Sequence, residues 1–134
     1  MISKEQYDQQ ISKLNPSSAN GPKTEFIDTF KEMINLIKGI NKGAKILISA
    51  ILPRMWDFDR RNLVRIEYNN ILKKVAQEEE IYFIQSYSPF FDRNKNLKED
   101  LFCNDGLHLS PAGTRVFKTF ICDKIDRAIK NKLV

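Results

Sequence analysis

The chain has 134 residues, a net charge of +5 and 42% hydrophobic residues, which predicts one folded domain and excludes a disordered polar chain. No apolar run approaches the roughly 20 residues of a membrane-spanning helix, and the first ten residues lack the apolar stretch of a secretory signal. We therefore expect no membrane span and a cytoplasmic protein. In that compartment the two cysteines, Cys103 and Cys122, are expected to be reduced thiols.

The first 23 residues carry the weakest structural signals. A short helix is predicted over 4–14, and the Pro, Ser, Asn and Gly residues over 15–22 predict a loop. Thr24 then occupies the position of an N-cap, ahead of an apolar stripe at helical spacing over 25–38. Gly39 and Gly43 are expected to end this helix in the left-handed conformation. Its predicted inner face consists of Phe26, Ile27, Phe30, Met33, Ile34 and Ile37.

Two short apolar runs alternate with two further helices. Residues 46–52 and 81–84 are predicted to be buried strands, with a helix over 60–79 between them. Ser110 is expected to cap a last helix that has Pro111 in its first turn. This order predicts right-handed crossovers and a parallel sheet. The positions predicted to be buried are Leu63, Ile66, Ile71, Leu72, Val75 and Ala76 in the middle helix, and Val116, Phe117, Phe120, Ile121, Ile125 and Ile129 in the last.

The single histidine of the chain, His108, follows Asp105 by three residues, on a predicted tight turn whose sharp path Gly106 permits. Imidazole suits a general base because its pKa lies near neutrality, and a carboxylate within reach of Nδ1 can orient it. Open α/β sheets build their sites on loops at the carboxyl ends of their strands. The pattern therefore indicates two members of a serine-hydrolase triad, although Asp-x-x-His by itself is also typical of an ordinary turn.

Other chemical groups carry weaker signals. Cys103 is near the turn and is a second candidate nucleophile, but its neighbours Phe102 and Leu109 favour an ordinary half-buried residue. The cysteines and the histidine lack zinc-site spacing, and we predict neither a metal nor a cofactor. The densest basic stretch favours anionic surfaces weakly, and a solvated helix face is the simpler interpretation. Its residues are Arg54, Arg60, Arg61 and Arg65, followed by Lys73 and Lys74.

Residues 104–113, which include Asp105-Gly106-Leu107-His108-Leu109-Ser110 and Pro111-Ala112-Gly113, resemble the last conserved block of the SGNH, or GDSL, hydrolase family. Segments 44–54, 67–72 and 81–84 resemble, in the right order, the penultimate strand and the helix and strand that follow it. The similarity covers about residues 24–122 and is closest to short esterase-like domains found alone or within retrotransposon-encoded proteins. It implies a flavodoxin-like three-layer α/β/α domain that hydrolyses carboxylic esters, often acyl or acetyl esters, without a metal.

The resemblance assigns His108 as the base and Asp105 as its partner. In that family a serine of an N-terminal Gly-Asp-Ser block attacks the carbonyl carbon, and a Gly-x-Asn-Asp block helps to bind the oxyanion. The sequence contains no Gly-Asp-Ser, and residues 39–42 are interpreted as a helix end, so the nucleophile and the oxyanion donors are unknown. The serines Ser49, Ser86, Ser88 and Ser110 follow the wrong elements for the nucleophile.

Three functions stay open at this point. The first is an SGNH-type esterase domain over residues 1–134 for a small ester or acyl substrate, truncated at its N-terminus and catalytically incomplete as written. The second is a non-catalytic binding module on the same scaffold for RNA or a protein, in which Tyr68, Tyr82 and Tyr87 would stack on bases, although core or rim packing is the simpler role. The third is an interaction subunit whose exposed sheet is completed by another chain. Among partners, we also expect either a second copy of this chain or a missing N-terminal segment to complete the sheet. The aromatic segment 87–91 is a weaker candidate for the border of an acyl pocket.

Overall fold

The structure is a computed structural model that describes residues 22–55 and 58–133. The chain divides after Ala44 into two compact units. The predicted helix over 4–14 and all of the predicted loop except Pro22 lie outside the described residues. None of the helices within the described ranges is both long enough and apolar enough to cross a bilayer.

The first unit contains helix α1, Pro22–Ile40. The helix begins at Pro22, so the predicted N-cap at Thr24 is wrong. Proline favours the first helical turn because its φ is already helical and its missing N–H would have no partner there. Ile34 is buried, whereas Met33 and Ile37 of the predicted inner face are exposed.

Helix α1 ends at Ile40 without a left-handed glycine, and an asparagine side chain bonds the backbone just beyond this end. Among the described glycines, positive φ occurs at Gly106, so the predicted left-handed conformation of Gly39 and Gly43 is wrong. Gly39 lies inside the helix, and the Asn41 side-chain oxygen accepts the N–H of Gly43 at 3.0 Å. A side-chain acceptor can end a helix without any left-handed residue. The interpretation of residues 39–42 as a helix end is thereby confirmed.

The second unit is an α/β arrangement with a parallel sheet, as predicted. Its elements are β1, Leu47–Ser49; α2, Phe58–Glu78; β2, Tyr82–Ile84; and α3, Pro111–Lys130. Strands β1 and β2 pair in parallel, with Ile48 opposite Phe83. The segment between β2 and α3 contains two short 3-10 turns, Ser88–Phe90 and Glu99–Leu101.

Strand β1 is shorter than the predicted 46–52 because its last residues bond elsewhere. The N–H of Ala50 still donates to Ile84 of β2 at 3.0 Å. The next residue, Ile51, instead bonds through both its N–H and its carbonyl to the side chain of Asn69 on α2. The sheet pairing therefore ends where α2 supplies the hydrogen bonds.

The core of the second unit lies under the loop that precedes α3. Met55, Phe90, Leu101 and Phe102 form a buried cluster, and the rings of Phe90 and Phe102 lie 5.7 Å apart between centroids. Leu109 and residues at the start of α3 pack against this cluster as partly buried side chains. The loop is thereby anchored to the core from below.

Helix α2 is buried only along the part of its length that the short strands cover. Leu72, Val75 and Ala76 of α2 are buried as predicted, whereas Leu63 and Ile66 are more than half exposed, so their predicted burial is wrong. A three-residue strand is about 10 Å long, whereas a 21-residue helix is about 31 Å long. The strands therefore cover only part of α2. On α3, Ile129 is also half exposed against prediction.

Candidate functional site

The Asp105–His108 turn closes a short hairpin in front of α3. Phe102 and Leu109 form an antiparallel bridge, and the N–H of Cys103 donates to the His108 carbonyl at 2.8 Å. Gly106 has a φ of 67°, a left-handed conformation that glycine adopts without steric cost. The turn predicted from the sequence is therefore present, and glycine permits its sharp path as expected.

The carboxylate of Asp105 organises this turn. Its Oδ1 accepts the backbone N–H groups of Leu107 and His108, both at 2.9 Å, and its Oδ2 lies 2.5 Å from Nδ1 of His108. Since a carboxylate can only accept hydrogen bonds, Nδ1 carries the proton in the neutral imidazole, and Nε2 has the free lone pair. The His108 side chain is 75% exposed, so the imidazole is open to a ligand.

The same contacts change the acidity of Asp105. They lower its pKa from 3.8 to about 2, and the causes are, in order of size, the hydrogen bond from the His108 side chain and those from the N–H groups of His108 and Leu107. Hydrogen bonds to the charged form of a carboxyl stabilise that form. Asp105 is therefore ionised throughout the range in which histidine works as a base.

Two contacts hold the turn against the rest of the second unit. On one side, the N–H of Met55, in the segment that follows β1, donates to the Gly106 carbonyl at 2.7 Å. On the other side, the N–H of Ser110 donates to the Leu101 carbonyl at 3.0 Å. Because one contact precedes His108 and the other follows it, both arms of the turn are tied to the core.

Ser110 is the N-cap of α3, as predicted. Its Oγ accepts the N–H of Gly113 at 3.1 Å and donates to the Asp100 carbonyl at 2.6 Å. Gly113 lies directly against the backbone of Leu101, where a Cβ would meet the Leu101 carbonyl oxygen at 1.9 Å. This close approach packs the start of α3, three residues after His108, against Leu101.

The candidate nucleophile Cys103 and the serines Ser49 and Ser86 make structural hydrogen bonds. Cys103 is exposed, so its predicted half-burial is wrong, because successive side chains of an extended segment point to opposite sides and Phe102 takes the core side. Its Sγ donates to the Leu109 carbonyl at 3.3 Å. Cys103 and Cys122 are both free thiols, as predicted. The hydroxyls of Ser49 and Ser86 lie 2.9 Å apart, and the buried Ser86 also donates to the Ala50 carbonyl, which ties β1 to the segment after β2.

The tyrosines predicted to stack on bases are only partly exposed. Tyr68, Tyr82 and Tyr87 are all half-buried, and the Tyr87 hydroxyl accepts a hydrogen bond from Gln85 at 2.6 Å. The side chains of Arg60 and Arg61 lie outside the described residues. Base stacking by these tyrosines stays a prediction. Within residues 22–55 and 58–133, His, Cys, Asp and Glu side chains form no group of three or more that could hold a metal ion.

A cleft of about 310 Å³ opens between α2 and the segments that follow the two strands. Tyr87 and Phe91, the ends of the predicted aromatic segment, both line it, and its other lining residues are Ile51, Pro53, Arg65, Ile66, Asn69 and Asn70. These lining residues do not include the Asp105–His108 turn. A role for segment 87–91 beside an acyl group stays a prediction.

Sequence reasoning missed Asn69. It is buried, with 6% of its surface exposed, and both ends of its side-chain amide bond to Ile51. The available signal was its position, because residues 69, 72 and 76 share one face of a helix and the other two are apolar core residues. A polar side chain in such a line has to find partners when it is buried.

Comparison with known proteins gives the following matches. A family model described as GDSL-like Lipase/Acylhydrolase matches residues 8–116. The esterase domain of the ORF1 protein from the zebrafish ZfL2-1 retrotransposon superposes with a TM-score of 0.65 and 22% identity, over 79% of this chain and 60% of that one. A GDSL-like lipase from Bacteroides thetaiotaomicron superposes with a TM-score of 0.58 and 20% identity, over 81% of this chain and 55% of that one. No curated protein matches the chain.

The chain thus spans little more than half the length of these solved structures. At 20–22% identity the likeness to them shows a shared fold. The family match covers more than half of the chain and ends within α3, at residue 116, so the Asp105–His108 turn lies inside it.

Proposed function

Because the chain belongs to the GDSL-like lipase/acylhydrolase family, we propose that it contributes the base and the orienting carboxylate of a serine ester hydrolase. His108 is the general base and Asp105 is its partner. The observation that carries this proposal is the hydrogen bond from His108 Nδ1 to Asp105 Oδ2. It selects the tautomer in which Nε2 can accept a proton, which is the role of the aspartate in a serine-hydrolase triad.

The proposed reaction has two halves. In the first, Nε2 of His108 takes the proton of a serine hydroxyl while the serine oxygen attacks the ester carbonyl carbon, and the imidazolium then gives this proton to the departing alcohol. In the second, Nε2 takes a proton from water, the water oxygen attacks the acyl-enzyme, and the serine oxygen leaves with that proton. Asp105 stays ionised throughout, because its pKa is about 2, and so stabilises the imidazolium.

The substrate class in this proposal is a small carboxylic ester or acyl group. The nucleophile and the oxyanion donors have no assigned residues in this chain, because its sequence contains no Gly-Asp-Ser. We propose that these groups, and a strand that pairs with the outer edge of β1, belong to a longer native product. Two observations support this: within the described residues β1 pairs with β2 alone, and the chain covers 60% of the zebrafish esterase domain.

The test begins with the native product. Its intact mass and the 5′ end of its transcript show whether a Gly-Asp-Ser block precedes Met1 of this sequence. Turnover of p-nitrophenyl acetate is then compared between that product and its His108→Ala and Asp105→Asn variants. We expect a loss of about 10³-fold or more in kcat for each, because one lacks the base and the other holds it in the wrong tautomer.

A matched control is available within the chain. Asp92 also closes a turn, with its Oδ1 accepting the N–H groups of Asn94 and Asn96 at 2.8 and 2.9 Å, but its bonds are to backbone groups rather than to a histidine. Asp92→Asn should therefore leave kcat unchanged. Turnover that survives His108→Ala contradicts the proposal. A native product of 15.6 kDa without turnover contradicts it too, and favours the non-catalytic alternative.

That alternative, an RNA-binding module, is supported by the net charge of +5. The half-burial of the three tyrosines is less favourable to it, since stacking needs an exposed ring face. RNA affinity that falls steeply with added salt would support this second candidate. Affinity that is unchanged when Arg60, Arg61 and Arg65 are replaced by Glu would exclude it.

A further inference from the structure

Just after β1, the side chain of Asn69 makes the two backbone hydrogen bonds that a neighbouring strand would otherwise make. Its Oδ1 accepts the N–H of Ile51 at 2.7 Å, and its Nδ2 donates to the carbonyl of the same residue at 2.9 Å. Only 6% of Asn69 is exposed, and a buried amide is costly unless its hydrogen bonds are made. Here the Ile51 backbone makes one with each end of the amide, so α2 sets the direction in which the chain leaves the sheet.

The segment held by Asn69 leads to the Asp105–His108 turn. Four residues after Ile51, the N–H of Met55 donates to the Gly106 carbonyl at 2.7 Å. Met55 is 5% exposed and belongs to the buried cluster under the turn. Pro53, which is also buried, restricts the backbone between the two contacts because its φ is fixed. A short stiff segment therefore joins the amide of Asn69 to the centre of the turn.

The contact with Gly106 bears directly on the geometry of the imidazole. Gly106 and Leu107 are the two residues between Asp105 and His108. Gly106 has a φ of 67°, so the direction of its carbonyl depends on the left-handed conformation. The N–H of Met55 holds that carbonyl. The two backbone bonds from Leu107 and His108 to Asp105 form only while the turn keeps this conformation.

We infer that Asn69 is a positioning residue for the Asp105–His108 pair, acting through the Ile51–Met55 segment and the Met55–Gly106 hydrogen bond. The inference rests on the proposed function only for the role of His108 as a base. The coupling between Asn69 and the turn is a property of the folded chain and is measurable without turnover.

The measurement uses the fact that His108 is the single histidine. In ¹⁵N-labelled protein at alkaline pH, where histidine is neutral, the two ring nitrogens give one pair of signals whose shifts report the tautomer. For the unmodified chain we expect a protonated Nδ1 and an unprotonated Nε2. In Asn69→Ala we expect both shifts to move toward a mixture of tautomers, and the Met55 amide to exchange with solvent about tenfold faster.

The matched control is the adjacent Asn70→Ala. Asn70 is exposed, so the same loss of an asparagine amide one position along the helix should leave the His108 shifts and the Met55 exchange rate unchanged. Circular dichroism and thermal unfolding establish that each variant is folded. A folded Asn69→Ala whose His108 shifts and Met55 exchange match those of the unmodified chain overturns the inference.

If Asn69→Ala does not fold, hydrogen exchange in the unmodified chain decides. The Ile51 and Met55 amides should then open together, with the same dependence on added denaturant. A Met55 amide that exchanges freely while Ile51 is protected overturns the inference. If His108 has the expected tautomer but the His108→Ala enzyme keeps its turnover, the proposed function is contradicted and the positioning role of Asn69 is not.

Discussion

Replacing Gly113 by alanine tests the packing of α3 against the loop that carries the site. The added Cβ would lie 1.9 Å from the Leu101 carbonyl oxygen, 2.8 Å from its carbon and 3.2 Å from the Leu101 Cα. These are backbone atoms, which cannot rotate away as the end of a side chain can. Reaching an ordinary contact of about 3.4 Å requires α3 and the 3-10 turn at Leu101 to separate by roughly 1.5 Å.

The free energy of this change has contributions of opposite sign. Alanine is favoured over glycine inside a helix by about 1 kcal/mol. Against this, forcing extra atoms into a packed site costs about 1–3 kcal/mol and occasionally more. The separation also weakens the cap that Ser110 makes with Gly113, a contribution of about 1–2 kcal/mol. We therefore expect Gly113→Ala to lower the free energy of unfolding by about 1–4 kcal/mol.

Urea denaturation followed by far-ultraviolet circular dichroism measures this difference. The matched control is Gly39→Ala in α1, because a Cβ at Gly39 meets nothing within 4 Å. This substitution therefore keeps only the stabilisation that alanine gives over glycine inside a helix. It should raise the stability of its unit by up to about 1 kcal/mol. A Gly113→Ala chain within about 0.5 kcal/mol of the unmodified one would refute the close approach of α3 to Leu101.

Two further predictions concern the turn itself. The pKa of Asp105 is lowered from 3.8 to about 2, so its contribution to stability is complete above pH 3.8 and is lost as the pH falls through about 2. In the unmodified chain, the NMR signal of the Asp105 carboxyl carbon should titrate near pH 2. In His108→Ala the pKa of Asp105 should rise toward 3.8 without reaching it, because the hydrogen bonds from the backbone N–H groups remain. A midpoint of 3.8 in the unmodified chain would contradict the structure. Because φ is 67° at Gly106, Gly106→Ala should lower the free energy of unfolding by about 1–2 kcal/mol, and Gly106→Asn should lower it by less. Equal urea midpoints for the unmodified chain and both variants would contradict the left-handed conformation of Gly106.

The sequence predicts those contacts of the site that join residues close together in the chain. Asp105 and His108 are three residues apart, and Gly106 lies between them, so the turn that brings them together is decided by neighbouring residues. The Ser110 cap is local in the same way. The parallel α/β class also follows from local patterns, because the lengths and apolar periods of successive segments select it.

Predictions failed where the extent of packing or a competing side-chain hydrogen bond, rather than residue type alone, decided the outcome. The burial expected for Leu63 and Ile66 failed because the strands are too short to cover the start of α2. The left-handed glycines expected at Gly39 and Gly43 failed because Asn41 made the hydrogen bond instead.

The sequence by itself determined the class of fold, the family and the pairing of His108 with Asp105, since each depends on residues close together in the chain. Only the tertiary structure decided how the turn is held. The contacts of Asn69 with Ile51 and of Met55 with Gly106 join residues 18 and 51 positions apart. No periodicity or spacing specifies such pairs, because they exist only after the sheet, α2 and the loop before α3 have packed together.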